Sequence, residues 1–184
     1  MKKMAKAAAL IAAMVLTAAA FAQDFPAYLK MYGTKITGCD KDDLPDNLVI
    51  PDGVTEIGRA AFFNAKLKSV VIPEGVTSIG DFAFNSCNKL ASVTILDGVT
   101  FIGDSAFADC KILESVEIPT SVKKISESAF YSCDNLKEVK YAGTKAQWKK
   151  VKKSGETGLE GKTVVCTDGD VTVRANVLKK LLEL

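Results

Sequence analysis

The chain contains no histidine. That absence removes the imidazole base on which Ser-His and Cys-His nucleophile systems depend, and it removes the commonest nitrogen ligand of metal sites. Charge of one sign is also missing: 24 basic residues face 22 acidic ones, a formal net charge of +2. Without Lys2, Lys3 and Lys6 the balance becomes 21 basic against 22 acidic, or −1. A chain this close to neutral has no global electrostatic attraction to nucleic acid or an anionic membrane, so neither is expected as a partner. No phosphate-cradling glycine motif and no G-x-S-x-G is present, and no acidic run has calcium-loop spacing. The reading from these absences is a non-enzyme without a cofactor or a metal site.

Long apolar runs are scarce as well. The single one, Ala7 to Ala20, follows the three lysines and is too short for the ~20 residues of a membrane span. Ala20-Phe21-Ala22 then reads as a small-x-small cleavage site. Residues 1–22 are therefore expected to be a signal peptide, with an uncleaved N-terminal anchor as the alternative, and the mature chain to begin at Gln23. No cysteine lies near that point for a lipid anchor. The expectation is an exported protein that is secreted, surface-associated or periplasmic, with no transmembrane segment after the leader.

What the chain has in quantity is repetition. Ile72 to Thr94 is a unit of 23 residues, followed by Ile95–Glu117 and Ile118–Lys140 and preceded by the one-residue-shorter Ile50–Val71. Aligned on one another, these units keep the same columns apolar: Val54, Val76, Val99, Val122; Ile57, Ile79, Ile102, Ile125; Leu67, Leu90, Leu113, Leu136. An Ala-Phe pair recurs at Phe62, Phe84, Phe107 and Phe130, and a second valine column at Val70, Val93, Val116 and Val139. A unit this short cannot bury its own apolar face, whereas stacked copies can bury each column against its equivalent. Each unit should hold a strand such as Ser92–Ile95, ended by Pro51, Pro73 or Pro119, which cannot donate to a ladder. A turn at Gly53, Gly75 or Gly98 follows, then a second short extended segment, then one helical or 3₁₀ turn near Asp81–Cys87. Ser121 and Ser126 replace glycine in the last copy. Either the turn differs there or those columns have ordinary negative φ.

The unit I-P-x-G-V-x-x-I-G-x-x-A-F-x-x-C-x-x-L-x-x-V-x resembles the BspA-type, or Treponema pallidum-type, leucine-rich repeat over Ile50 to Tyr141. Tyr141–Trp148 through Val165–Gly169 is similar to the terminal unit of that family. The resemblance implies an exported or surface-exposed bacterial protein, with adhesion or host-protein binding in some members, and implies no enzyme. The expected architecture is an α/β solenoid: a right-handed leucine-rich-repeat superhelix with one curved parallel-strand sheet, short helical or 3₁₀ turns and capped ends. Residues 23–49 form the N-terminal cap, 50–141 four regular coils and 142–184 the C-terminal cap. In the caps we expect a hairpin turning at Gly33-Thr34, a short helix over Thr144–Lys153 with Thr144 as N-cap, closing strands at Thr163–Cys166 and Val171–Arg174, and a final helical turn over Val177–Leu184.

Candidate chemistry divides between sites and solvated structure. Cys87, Cys110 and Cys133 share one column, where the first copy has Ala65. Buried reduced thiols in a small apolar slot fit that column; a disulfide or a metal is the alternative. Cys39 and Cys166 lie at opposite ends of the solenoid, too far apart to pair. Asp40, Asp42 and Asp43, and the Asp168-Gly169-Asp170 turn, read as solvated turns or a weak cation site. Lys145, Lys149, Lys150, Lys152 and Lys153 read as the wet face of the capping helix or a polyanion patch. Two outward stripes cross the sheet: Ser69, Ser92, Ser115, Glu138 and Val71, Thr94, Glu117, Lys140. On the other side Phe63, Phe82, Phe101 and Tyr131 occupy columns that are otherwise small or polar, a pattern of interface anchors or of local packing. The function these features support is binding of a protein or other macromolecule; the alternative is a self-associating structural component of the periplasm or cell surface.

Overall fold

The computed structural model describes residues 25–174; the expected signal segment and the tail Val177–Leu184 lie outside the described residues. The elements in chain order are β1 (Leu29–Tyr32), β2 (Lys35–Cys39), β3 (Asn47–Val49), β4 (Glu56–Ile57), β5 (Ser69–Ile72), β6 (Ser78–Ile79) and β7 (Ser92–Ile95). They continue as β8 (Phe101–Ile102), β9 (Ser115–Ile118), β10 (Lys124–Ile125), β11 (Glu138–Tyr141), α1 (Lys145–Lys150), β12 (Lys152–Lys153), β13 (Thr163–Cys166) and β14 (Gly169–Thr172).

These strands build a parallel β-solenoid with two sheets, each of seven strands. The wide sheet runs β14-β13-β11-β9-β7-β5-β3 and contains the long strand of each coil. The second short extended segment expected at Val-x-x-Ile forms the narrow sheet, β1-β2-β4-β6-β8-β10-β12, so the sheet of the sequence reading is accompanied by another. Neighbouring coils pair in parallel and in register; Val70, Val93, Val116 and Val139 lie side by side. At the N-terminal end an antiparallel hairpin of β1 and β2 turns at Gly33, which has φ of 59°. At the other end β13 and β14 form the closing hairpin. Each hairpin supplies a strand that runs against the rest and interrupts the parallel stacking edge.

A third hydrogen-bonded run joins the coils where one helical or 3₁₀ turn was expected. It takes the form of consecutive tight turns. Ala83, Asn85 and Cys87 donate within the coil to Gly80, Phe82 and Phe84, while Phe82, Phe84 and Ser86 donate to Asp104, Ala106 and Ala108 of the next coil. Alternate N–H groups thus serve the turn and the stack, and none of these six is orphaned. The alternation requires left-handed residues at regular spacing: Ala60 and Asn64, Phe82 and Ser86, Ser105 and Asp109, Ser128 and Ser132 all have φ of 52–59°. A continuous helix cannot accommodate them.

The apolar columns converge on one core. Phe62, Phe84, Phe107 and Phe130 are fully buried and stack ring over ring, with centroids 4.9, 5.2 and 5.4 Å apart and planes within 9° of parallel. Beyond the last regular coil, α1 is capped by Thr144, whose hydroxyl accepts from Gln147 N, while the Gln147 side chain accepts from Thr144 N. That box orients the helix so that Trp148 is buried against Tyr141, centroid to centroid 5.2 Å.

All five cysteines are free, and Cys87, Cys110 and Cys133 are buried. Each of the three thiols donates to the carbonyl of the core phenylalanine one coil back: Phe62 O at 3.1 Å, Phe84 O at 3.2 Å and Phe107 O at 3.1 Å. The column therefore takes a small side chain with a weak donor. Burial pushes the Cys133 thiol up to about 12, and the neighbouring Cys87 thiol together with burial raises Cys110 as well. A folded-state thiol with a raised pKa holds its proton where the unfolded chain loses it. This stability contribution is complete below the ordinary value of 9.0 and falls as pH rises toward 12. Urea midpoints of the unaltered chain are expected to decline over that window, and the decline is expected to be shallower in Cys133→Ala. Identical slopes would exclude the thiol as a contributor.

Candidate binding surface

The two stripes expected on the wide sheet exist as registered rows. Ser69, Ser92, Ser115 and Glu138 lie side by side, as do Val71, Thr94, Glu117 and Lys140. The second row continues to Val49 at one end and Val165 at the other. Its chemistry changes along its length, from apolar at Val49 and Val71 to charged at Glu117 and Lys140. The Lys140 ammonium lies 3.5 Å from Glu117 Oε1 and 3.4 Å from Glu138 Oε1. Glu138 and then Glu117 raise its pKa. The Ser69 hydroxyl donates to Asn47 Oδ1 at 2.7 Å, while Ser92, Thr94 and Ser115 are half-buried.

Glu117 and Lys140 also belong to a groove of about 440 Å³ at the C-terminal ends of β7, β9, β11 and β13. Its floor and walls include Ile95, Leu96, Ile118, Pro119, Tyr141 and Val165, and Asp97 lies at its rim with Glu117 and Lys140. The groove arises from breaks in the proline column. Pro51 and Pro73 end the first strands, but the next coils place Leu96, Pro119 and Ala142 there. Leu96 donates its backbone N–H to Ile72 O at 2.9 Å, and the residue is 40% exposed. Ala142 has little side chain to fill the gap beside it. Val165, 41% exposed, forms part of the far wall. Within the lining, burial raises the Tyr141 hydroxyl and the Cys166 thiol above their ordinary values. What the groove presents is apolar surface beside an exposed ion pair.

The sequence reading identified Glu117 and Lys140 but did not single out Leu96 or Val165. The signal available was the replacement of proline by leucine and alanine in one column.

The four aromatics lie away from the groove residues and fall in three different columns. Phe82 occupies a left-handed position, φ 57°, with the Arg59 guanidinium 5.3 Å from its ring centroid. Phe101 lies in the narrow sheet between Ser78 and Lys124, with the Lys124 ammonium at 5.4 Å. Phe63 packs beneath Lys41 at 5.7 Å. Tyr131, 61% exposed, shares the Phe63 column, but Asn85 and Ala108 stand between them. Three of the four thus face a cation of the same chain.

The charged clusters are equally local. Asp42 N donates to Asp40 Oδ1 at 3.2 Å, and Lys145 N to Asp168 Oδ1 at 2.7 Å. Lys149 and Lys150 occupy the last turn of α1, while Lys153 folds onto Trp148, 4.2 Å from the ring, and donates to Trp148 O and Val151 O. Among the described residues no group of three or more His, Cys, Asp or Glu could hold a metal ion, and no helix is long and apolar enough to cross a membrane.

Stacked coils with a uniform core and a variable outer skin define a leucine-rich-repeat scaffold. The chain belongs to the BspA type leucine rich repeat family, whose model matches residues 42–151 in six copies. No curated protein matches it. It is similar to the solved structure of a leucine-rich repeat protein from Bacteroides capillosus, with 27% identity over 63% of this chain and 99% of that one and a TM-score of 0.55. A leucine rich cell surface protein from Faecalibacterium prausnitzii is 34% identical over 64% of this chain, TM-score 0.49; the match spans 38% of that protein. The T. pallidum leucine rich repeat protein is 23% identical over 66% of this chain and 54% of its own length, TM-score 0.43.

Proposed function

We propose that this chain is an exported, non-catalytic binding protein that engages a protein or other macromolecular partner at the bacterial surface or outside the cell, with adhesion as the physiological outcome. The observation that carries the reading is the groove at the ends of β7, β9, β11 and β13, where exposed Leu96 and Val165 flank the Glu117–Lys140 pair. Apolar anchors beside a small number of polar groups are the usual composition of a recognition site. Export rests on the lysine-led apolar leader ending at Ala20-Phe21-Ala22. Absence of turnover rests on the lack of histidine and of any nucleophile or phosphate-binding motif.

The test is affinity capture on Gln23–Leu184 from host and bacterial extracts. Partners retained by the unaltered chain are expected to be lost, by tenfold or more in yield, from Leu96→Asp/Val165→Asp. They are expected to remain with Phe82→Ala/Phe101→Ala. Loss in the aromatic variant alone would transfer the site to the opposite side; retention in both would sink the groove reading. Both groove substitutions fall on side chains about 40% exposed, so thermal midpoints should stay close to that of the unaltered chain.

A second reading, self-association, is favoured by the N-terminal end. There Tyr32 is 81% and Val49 62% exposed, and β3 is the terminal strand of the wide sheet. Light scattering of the unaltered chain at high concentration separates the two readings, since a monomer excludes self-assembly.

A further inference from the structure

We infer that the protein carries a second binding surface, separate from the groove: a lysine face at the β10–β12 end of the narrow sheet that takes a linear sulfated polysaccharide. One row of the narrow sheet shows why this end differs. Lys35, Glu56, Ser78, Phe101, Lys124 and Lys152 lie side by side in register. At one end the row sets opposite charges next to each other, and Lys35 pairs with Glu56. At the other it sets Lys124 beside Lys152, like charges on strands about 5 Å apart. Neighbours of this kind repel. The concentration of charge continues around the corner. Lys152 N donates to Lys123 O at 2.9 Å, and Lys123 and Lys150 line a hollow of about 100 Å³ with Thr120 and Gln147. Lys149 and Lys150 occupy the last turn of α1. Residues 118–126 and 141–155, which build this corner, include seven lysines and no acid. Lys145 turns toward Gly169 and Lys153 folds onto Trp148. Five remain exposed: Lys123, Lys124, Lys149, Lys150 and Lys152. Among the described residues none of the five forms an ion pair. Glu127, the next acid along the chain, lies beside Gly155, past the end of β12.

The surroundings of the face select among polyanions. Of the 24 basic residues, Lys2, Lys3 and Lys6 precede the expected cleavage site and five form the face; the other 16 stand against 22 acids. A nucleic acid duplex or a bilayer extends past this corner and meets net negative charge. Single strands rely on aromatic stacking platforms, but the Phe101 ring carries the Lys124 ammonium at 5.4 Å and Trp148 is buried beneath Lys153. No exposed large apolar side chain of the described residues lies here to enter a lipid surface. A sulfated polysaccharide is narrow and engages through its anions. One sulfate group is placed in the hollow between Lys123 and Lys150 and the next across Lys124 and Lys152, where the Phe101 ring holds the Lys124 ammonium in position.

The probe is fluorescein-labelled heparin, titrated by anisotropy into the protein at low salt. It is expected to bind, and to weaken steeply as salt rises. Lys152→Glu is expected to weaken binding about tenfold while leaving the thermal midpoint unchanged or higher, because it recreates the opposite-charge pairing of Lys35 and Glu56. Lys123→Ser/Lys150→Ser, at the hollow, is expected to weaken it about as much, and this pair decides the matter should Lys152→Glu lose stability. Lys89→Ser/Lys111→Ser removes the same charge elsewhere, and Leu96→Ser/Val165→Ser alters only the groove; both are expected to bind heparin as the unaltered chain does. No binding of heparin, equal binding of neutral dextran, or an equal loss in the Lys89/Lys111 pair overturns the inference. So does full affinity in Lys123→Ser/Lys150→Ser, and so does loss in Leu96→Ser/Val165→Ser, which would merge the face with the groove. Tighter binding of DNA or of phosphatidylserine vesicles would overturn the assignment to a polysaccharide.

Discussion

Phe107→Ala is expected to lower the unfolding free energy by about 3–5 kcal/mol, the cost of emptying a fully buried aromatic site. Phe107 has a stacked ring on each side, at 5.2 and 5.4 Å, and no exposure. The backbone around it is fixed from three directions: its N–H bonds Ala129 O, its carbonyl accepts from the Cys133 thiol, and Phe84 N donates to Ala106 O beside it. A site held this way has little freedom to collapse onto the cavity, so the cost belongs in the upper part of the range. Against a total domain stability of about 5–15 kcal/mol, one such substitution removes a large fraction. Urea denaturation followed by circular dichroism measures it; a loss below about 1.5 kcal/mol would mean that the aromatic column is not the mechanical spine of the solenoid.

Gly98→Ala is expected to cost about 3 kcal/mol or more, and Gly75→Ala almost nothing, although the two glycines occupy one column of the repeat. Gly98 has φ of 120°, and a Cβ there would stand 2.0 Å from Glu74 O and 3.2 Å from Val76 O. Both backbone strain and backbone overlap oppose the side chain, and neither neighbour is a flexible chain end. Gly75 has an ordinary φ and would bring its Cβ no closer than 3.4 Å to Val54 O. Alanine there also reduces the freedom of the unfolded chain, which stabilises by about 0.4–1 kcal/mol where no strain is introduced. The last member of the column explains itself by the same logic. Ser121 has no positive φ, and its hydroxyl donates to Val99 O at 2.8 Å while accepting from Gly98 N at 3.1 Å. Thermal midpoints of the two alanine variants measured side by side check the contrast, and equal shifts would refute it.

The glycine column shows where reading the chain alone runs out. The alternatives left open by Ser121 and Ser126 resolve differently for each column. In the first, Gly53 and Gly98 need positive φ and Gly75 and Ser121 do not. In the second, Gly58, Gly80 and Gly103 all have ordinary φ, and a Cβ on any of them would come within 3.0 Å of the preceding coil's backbone. Ser126 stands at the end of that column, buried and bonded through its N–H to Ile102 O. Identical letters in a repeat thus record a dihedral requirement at Gly53 and Gly98, a close approach at Gly58, Gly80 and Gly103, and neither at Gly75, and only neighbouring coils distinguish them.

The aromatics illustrate the same limit. Phe63, Phe82 and Phe101 look alike as exceptions to small or polar columns, yet each meets a cation from a different part of the chain. Pairings such as Arg59 with Phe82 depend on coil-to-coil offset, which no local pattern encodes. The groove was legible only in part: Glu117 and Lys140 followed from strand alternation, but the cavity depends on what four successive coils fail to fill beyond their strands.

The sequence by itself determined the solenoid, because a 23-residue unit with invariant apolar columns can bury them only against copies of itself. It likewise determined the core phenylalanines and the hairpin and helix of the caps, since each depends on residue type at a fixed offset; the structure chose reduced thiols over a disulfide in the cysteine column. Tertiary structure decided the second sheet, the run of left-handed turns and the groove. Those depend on hydrogen bonds and gaps between coils, which are properties of how one winding lies over the next rather than of the order of residues within it.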